Sequence, residues 1–339
     1  MVDRGPFPLV RSRTGTHRVA FSRMSAPTAT GHPDDHGLPP PATIEVADGV
    51  FAYVQPDGSW WINNTGFLVG ADAVTAIDAS STERRTRSFL EAIGRVTPRP
   101  VRTLVNTHHH GDHTNGNCLF GDATIVGHRN CRDGVKEQRI GGLEPVFGAV
   151  DWGELTISPP TLTFDDHIEL WVDDLGAEVR HIGTPAHTTG DAVVWLPEHR
   201  VLFAGDLVFN GGTPFVLMGS VAGSLTAIER LRAYEATTIV PGHGAVCDPR
   251  HLDAVEGYLA FVQRLAAAGK SAGVPPLQAA LEADLAEYAE WLDAERLVGN
   301  LHRAYAELDG QPLGAPIDIV SAFIDMITYN GGRPLRCLA

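Results

Sequence analysis

The segment 106–117 carries the densest set of potential metal ligands in the chain. It reads NTHHHGDHTNGN, follows a hydrophobic run, and contains His108, His110, Asp112 and His113. Because alternate residues of an extended segment face the same side, His108 and His110 can bind one metal ion, and His109 then points away. Gly111 allows a turn that brings Asp112 and His113 to a neighbouring position. Imidazole and carboxylate groups at this density suit zinc or a similar divalent ion. An exposed histidine-rich loop is the alternative.

Three later segments each add one potential ligand. They are His187 in HIGTPAHTTGDAVVWLP, Asp206 in RVLFAGDLVF and His243 in TTIVPGHG. A lone histidine is usually a surface or core residue, so His187 alone is a weak indication. Asp206 comes directly after an apolar run, where an unpaired carboxylate would be costly and a metal ion would remove that cost. Each ligand is expected just past a predicted strand, where side chains from distant segments can converge.

The order of these motifs resembles the metallo-β-lactamase superfamily. The matching pattern is HxHxDH, then a histidine in GTPxHT, an aspartate after an apolar strand and a histidine in PGHG. Asp78, which follows the apolar run 74–77, stands where that superfamily has an aspartate that supports the metal loops. The resemblance spans about residues 44–244. It implies an α/β fold, an αββα sandwich, and two Zn²⁺ ions per chain, with another divalent metal as an alternative.

The resemblance also implies a role for each ligand. One ion would bind His108, His110 and His187. The other would bind Asp112, His113 and His243, and Asp206 would bridge the two together with a water or hydroxide. Asp112 and Asp206 are the expected catalytic residues, Asp112 by orienting the attacking water or accepting its proton. Such metal pairs lower the pKa of a bound water and polarise a substrate carbonyl.

Further segments are similar to one group within this superfamily, the cyclase/thioesterases of bacterial type II aromatic polyketide pathways, such as second-ring cyclases of the actinorhodin type. The matching segments are 150–164, 213–223, 293–305 and the YNGG and CLA motifs at the end. The resemblance implies a thioesterase and second-ring cyclase that acts on a polyketide bound to an acyl carrier protein. Aromatic and soft side chains would suit a planar substrate. The expected contacts, each with a core position as the alternative, are Trp60, Trp61, Asn63, Phe209, Phe215 and Met218.

Two other functions stay open. The chain could hydrolyse small-molecule thioesters or lactones, or it could be a noncatalytic binding protein that contains a metal. Glyoxalase II shares the ligands, but its basic glutathione-binding region is not found here. The β-lactamases of this fold are exported, and many have a cysteine in place of Asp206. The flavin-linked diiron members have a glutamate in place of His110. Both of these groups are therefore disfavoured.

The composition of the chain limits the classes of partner and the cellular location that we expect. The chain has 339 residues and a formal net charge of −15, which argues against binding to nucleic acid or to an anionic membrane. No apolar run of about eighteen residues predicts a transmembrane helix, and no signal peptide is recognised. The cysteines lack a pairing pattern, which is typical of reduced thiols in a cytoplasmic protein. They are Cys118, Cys131, Cys247 and Cys337.

The chain divides into three segments, and the second contains all the potential ligands. Residues 1–41 lack hydrophobic periodicity and are predicted to be disordered, and Met24 is an alternative start. Residues 42–250 alternate β-rich runs with predicted helices at 82–96 and 225–235, which indicates two packed sheets flanked by helices. Residues 251–339 are predicted to form a helical extension. Its apolar stripe at Ile319, Phe323 and Met326 or Ile327 is interpreted as core or as a dimer surface, so a homodimer is possible.

Overall fold

The computed structural model describes residues 28–29 and 37–339. Its strands are β1 Thr28–Ala29, β2 Ala42–Ala47, β3 Val50–Val54, β4 Thr65–Val69, β5 Val74–Ile77, β6 Val101–Asn106, β7 Thr124–His128, β8 Leu162–Phe164, β9 His167–Val172, β10 Leu175–His181, β11 Ala192–Leu196, β12 Val201–Asn210 and β13 Thr238–Gly244. Its α-helices are α1 Glu83–Val96, α2 Gly111–Thr114, α3 Arg129–Glu137, α4 Glu144–Phe147, α5 Val221–Arg232, α6 His251–Ala272, α7 Pro276–Leu281, α8 Arg296–Leu308 and α9 Ile319–Tyr329. Segments Asn115–Phe120 and Ala286–Tyr288 are 3₁₀ helices.

The described strands form two sheets. The first has the order β1 to β8, with antiparallel pairs up to β5 and parallel pairs from β5 to β8. The second has the order β13-β12-β11-β10-β9, in which β12 and β13 are parallel. Since β5, β6 and β7 run in the same direction, their carboxyl ends and the loops that follow lie along one edge of the first sheet. The metal-ligand segment 106–117 begins at that edge.

Three apolar cores separate four layers. Phe89 and Ile93 of α1 pack against the outer face of the first sheet. The two sheets enclose a second core that includes Leu68 and Phe203. The outer face of the second sheet packs against α5, α6 and α8 in a third core. The predicted αββα sandwich is confirmed.

Most predicted strands agree with the structure, but the two strands that carry Asp206 and His243 are longer than predicted. The strand predicted at 201–204 continues as β12 to Asn210, and the strand predicted at 238–240 continues as β13 to Gly244. Their pairing is irregular around Gly205, whose φ of 51° interrupts the ladder without ending the strand. Asp206 and His243 therefore lie within these strands and not beyond them, which corrects the prediction.

Helix α5 begins four residues before the predicted start at 225. The side chain of Ser220 accepts a hydrogen bond from the amide of Gly223 at 2.8 Å. This N-cap satisfies one of the free amides in the first turn, and the apolar periodicity used for the prediction does not detect it.

The predicted disordered tail, residues 1–41, lies mostly outside the described residues. Within it, Thr28–Ala29 pairs with Thr43 and Ala42 of β2. This two-residue strand differs from the prediction. Edge pairing of so short a segment requires no hydrophobic periodicity, so the sequence pattern does not detect it.

The chain from His251 onward is largely helical, as predicted. Leu252 and Val255 of α6 and Leu301 of α8 belong to the same core as Leu202 of β12. In this part of the structure, α9 has Ala322 and Met326 buried and Val320 exposed. None of the helices within the described ranges combines the length and apolar character needed to cross a bilayer.

Candidate metal centre

The first group of potential ligands lies where the two sheets meet. It consists of His108, His110, His187 and Asp206, whose donor atoms all lie within 4.8 Å of one another. His110 Nδ1 is 2.7 Å from His187 Nε2, and His187 Nε2 is 3.2 Å from Asp206 Oδ2. The geometry brings together three imidazoles and one carboxylate from segments far apart in sequence.

The second group shares Asp206 with the first. It consists of Asp112, His113, Asp206 and His243. His113 Nε2 lies 3.0 Å from Asp206 Oδ1, and His243 Nε2 lies 3.2 Å from Asp112 Oδ2 and 3.4 Å from Asp206 Oδ2. All seven predicted ligands are thus gathered in two adjacent groups, and His109 belongs to neither of them.

Hydrogen bonds from outside the groups orient the imidazoles. His113 Nδ1 is 2.8 Å from Asp78 Oδ2, and the same carboxylate accepts from the amide and hydroxyl of Thr107, both at 2.7 Å. His187 Nδ1 bonds to the Phe215 carbonyl, and His243 Nδ1 lies 3.1 Å from the Gly58 carbonyl. Such bonds fix which imidazole nitrogen faces the metal. Asp78 itself has a φ of 59°, a strained conformation typical of functional sites.

In the second group, the charges of the histidines and of the carboxylates balance one another. Burial lowers the pKa of His113, but Asp206 and Asp78 outweigh burial and raise it well above its usual range. Burial also lowers the pKa of His243, yet Asp206 and Asp112 raise it to about 9. Conversely, burial raises the pKa of Asp206, and the surrounding histidines hold it well below its ordinary value. Without a metal, protons on the histidines compensate the carboxylates.

Burial acts differently on the first group. Desolvation lowers the pKa of His108 and of His110 well below the usual value, with the neighbouring imidazoles adding to the effect. Both rings are therefore neutral at pH 7, the form that binds a metal.

The residues present fit a pair of divalent cations. The buried atom His108 Nε2 has no hydrogen-bond partner among residues 37–339, and it lies 3.8 Å from Asp206 Oδ2. An unsatisfied buried polar atom is costly. Imidazole and carboxylate donors clustered around it match the ligand preferences of zinc.

A cavity of about 210 Å³ opens directly onto both groups. His110, His187, Asp112, Asp206 and His243 form its polar floor, and its walls are largely aromatic. Trp60 meets Phe215 edge to face with ring centroids 4.9 Å apart, and Trp61 meets Phe147 at 5.6 Å. Apolar walls with a few polar groups at the floor are typical of sites that bind small molecules.

Five of the six predicted substrate contacts line this cavity, namely Trp60, Trp61, Phe209, Phe215 and Met218. Asn63 does not, which corrects the prediction. It is fully buried, and its side-chain amide donates to the carbonyls of Ala79, at 2.8 Å, and of Asn64. Asn63 therefore supports the backbone just after β5.

The sequence did not reveal several residues that line the cavity. They are Asn115, Gln138, Arg139, Leu143, Phe147, Arg296 and Phe323. Phe323 belongs to the stripe interpreted as core or a dimer surface; it packs against the third core and also forms a cavity wall. Its helical periodicity could not distinguish these roles, because a cavity wall and a core both select apolar side chains.

Comparison with known proteins identifies the family. The family model described as the metallo-beta-lactamase superfamily matches residues 58–243. The chain belongs to the metallo-β-lactamase superfamily. Its members are mostly metal-dependent hydrolases, and they typically bind zinc. All seven potential ligands lie inside the matched segment, whereas Arg296 and Phe323 lie outside it.

Several members of the metallo-β-lactamase superfamily are similar to this chain. A beta-lactamase-like protein 2 homolog of Caenorhabditis elegans is 30% identical over 51% of this chain and 52% of its own length. A hydroxyacylglutathione hydrolase of Rhodospirillum rubrum is 31% identical over 50% of this chain and 62% of its own length. The chain thus spans less than two thirds of the length of either relative. A solved metallo-beta-lactamase from Pontibacter korlensis superposes with a TM-score of 0.54 at 21% identity, covering 65% of this chain and 99% of that protein, and supports the fold.

Proposed function

We propose that this chain is a binuclear zinc hydrolase that acts as a thioesterase and second-ring cyclase on an aromatic polyketide bound to an acyl carrier protein. The observation that carries the proposal is the cavity, whose floor is the pair of ligand groups joined by Asp206 and whose walls are aromatic. The ligand pair supports hydrolysis, and the walls support a planar substrate.

The residues that would hold the metals divide as the two groups do. His108, His110 and His187 would bind one ion, and Asp112, His113 and His243 the other, with Asp206 between them. When bound, the ions supply Lewis-acid polarisation of a carbonyl and a lower pKa for water.

In this reaction Asp112 would accept the proton of the attacking water. Burial raises its pKa, but the charges of His113 and His243 outweigh burial and lower the pKa below its ordinary value, so the side chain is a carboxylate at neutral pH. It lines the cavity floor. In thioester hydrolysis, the water oxygen bonds to the acyl carbon and its proton passes to Asp112. The carbon–sulfur bond then breaks, and the leaving thiolate takes up that proton. The products are a carboxylic acid and a free thiol.

The cavity walls support an aromatic acyl group and exclude bulk water from it. Trp61, Phe147 and Phe323 surround the space above the floor. The same environment would hold a poly-β-carbonyl chain folded for an aldol closure that loses water. An acyl chain tethered to a carrier protein would enter the cavity from its rim. The side chain of Arg139 lines the cavity and is exposed to solvent. An exposed guanidinium there suits the phosphate of a pantetheine arm.

Hydrolysis of a small soluble thioester is the second candidate. It is favoured by the similarity to a hydroxyacylglutathione hydrolase, whose name describes a thioester substrate. Both candidates need the same floor and differ in what the walls bind.

Mass analysis after incubation with a bicyclic polyketide thioester mimic tests the proposal. Loss of water reports cyclisation, and loss of the thiol reports release. We expect both with the mimic, and slower turnover of a hydroxyacylglutathione and of simple lactones. A protein that opens lactones and ignores every thioester would contradict the proposal. Preferred cleavage of the hydroxyacylglutathione would favour the second candidate. Less than one metal equivalent in a preparation that binds the mimic without turnover would indicate a noncatalytic binding protein.

A further inference from the structure

Helix α8 lies outside the segment that matches the superfamily, yet it contacts the wall of the metal centre. Its residues Arg296, Asn300 and Arg303 are each no more than 1% exposed. All three bind the backbone of the segment 213–217, which is buried and has no regular secondary structure. A buried loop must find partners for its backbone polar groups, and α8 supplies them.

The hydrogen bonds follow the segment residue by residue. Arg296 Nη1 donates to the Thr213 carbonyl at 3.0 Å. Asn300 binds on both sides of Phe215, since its Nδ2 donates to the Pro214 carbonyl at 2.7 Å and its Oδ1 accepts from the Val216 amide at 2.9 Å. Arg303 donates through Nε and Nη2 to the Leu217 carbonyl at 2.9 and 2.8 Å.

The residue enclosed by these bonds is Phe215. Its carbonyl accepts the hydrogen bond of His187 Nδ1, and its ring lines the cavity. His187 Nε2 faces the first ligand group, 3.2 Å from Asp206 Oδ2. The position of the Phe215 carbonyl therefore sets the tautomer and the direction of the His187 ring.

The shape of α8 also fits this segment. Residues 296, 300 and 303 are spaced so that they share one face of the helix. On that face Gly299 lacks a side chain, and a Cβ there would lie 2.9 Å from Phe215 Cε2. The absent side chain allows α8 to approach Phe215 closely.

We infer that Asn300 and Arg303 of α8 are positioning residues that act through the Phe215 carbonyl to orient His187 for metal binding. The inference rests on the proposed metal centre but not on any particular substrate. Neither residue lines the cavity, so an effect on the metal would pass through the loop.

Zinc titration of the metal-free protein, in competition with a chromophoric chelator, tests this role. We expect Asn300→Ala to weaken one of two zinc equivalents by about 10- to 100-fold and to leave the other unchanged. The matched control is Glu307→Ala. Glu307 also lies on α8 and also binds backbone amides, those of Val221 at 2.8 Å and Ala222 at 3.2 Å, but these lie beyond the loop that carries Phe215. The control should bind both equivalents as the natural chain does.

The outcomes separate this inference from the proposed function. If the natural chain binds two equivalents and Asn300→Ala binds both equally tightly, the positioning role is wrong and the metal centre stands. If the natural chain binds no zinc, both are wrong. Equal weakening by Glu307→Ala would show a general effect of helix docking and would also overturn the role. If Asn300→Ala does not fold, Arg303→Lys replaces it. That variant keeps the bonds of Asn300 and loses the forked donors to Leu217, and we expect a smaller loss at the same single equivalent.

Discussion

Asp206 joins the two ligand groups, because its carboxylate lies within reach of His113, His187 and His243. The charges around it are arranged for a shared anion, since burial alone would raise the pKa of Asp206 and the histidines lower it. At the scale of single residues, the consequences of losing Asp206 differ from those of losing a histidine.

Replacement of Asp206 should therefore remove more metal than replacement of His187. Asp206→Ala deletes a ligand of both groups, and we expect it to bind neither equivalent after gel filtration. His187→Ala should lose one. Elemental analysis measures the metal, and circular dichroism checks that the variants fold. Asp206→Ala and His108→Ala should both abolish turnover. Two retained equivalents in Asp206→Ala would show that the carboxylate does not bridge.

Metal binding at pH 7 should release protons. In the metal-free protein His243 has a pKa of about 9 and the pKa of His113 is raised well above its usual range, so both are protonated at pH 7. Their nitrogens must be neutral to bind a cation. Affinity should accordingly fall as the pH is lowered and rise as the pH approaches about 9. Calorimetry in two buffers of different ionisation enthalpy counts the protons. Equal heats in both buffers would contradict the release of protons from His113 and His243 on metal binding.

At the scale of elements, the cavity is built from both parts of the chain. Segment 58–243 supplies the floor, and α9 supplies Phe323 as one wall. The Phe323 ring lies 6.3 Å from that of Phe215 and 6.2 Å from that of Phe147. The C-terminal helices therefore help to determine the shape of the cavity.

Phe323→Ala should weaken binding of aromatic substrates. Loss of one apolar ring contact costs about 1.5 kcal/mol, which corresponds to about a tenfold rise in KM for aryl thioesters. Acetyl thioesters, which are too small to reach this wall, should show no change. Ile324→Ala is the control, since Ile324 is the next residue on the same helix and is 57% exposed. An equal rise in KM for both thioester classes would place Phe323 outside substrate selection.

At the scale of the whole molecule, the metal centre connects the two sheets. His108, His110, Asp112 and His113 follow β6 of the first sheet, whereas Asp206 and His243 lie in β12 and β13 of the second. A metal ion that needs side chains from both sheets binds the folded state and not the unfolded chain. Metal binding should therefore stabilise the whole fold.

Chelation should lower the unfolding temperature. With free zinc at a hundredfold excess over Kd, each site contributes about 2.7 kcal/mol, and loss of both sites should lower Tm on the order of 5–10 °C. Scanning calorimetry with and without chelator measures the shift, and restored zinc should reverse it. A Tm unaffected by chelation would mean that the groups bind no metal in the folded protein.

Local sequence patterns predict the strands, and the order of the motifs indicates the ligands. Hydrophobic alternation sets each strand locally, and the spacing of His108 and His110 is a property of extended backbone. For that reason the strands at 50–54, 65–69, 74–77 and 101–106 and two packed sheets flanked by helices could be predicted, and the resemblance of the motif order to the superfamily implied the αββα sandwich.

The surroundings of those ligands depend on tertiary packing. The irregular β12–β13 pairing placed Asp206 and His243 inside strands, and the packing of Asn63 against Ala79 removed it from the cavity. The contact of Asn300 with Pro214 and Val216 joins residues more than eighty positions apart. Contacts of this kind depend on how finished elements pack, and no local pattern of side chains encodes them.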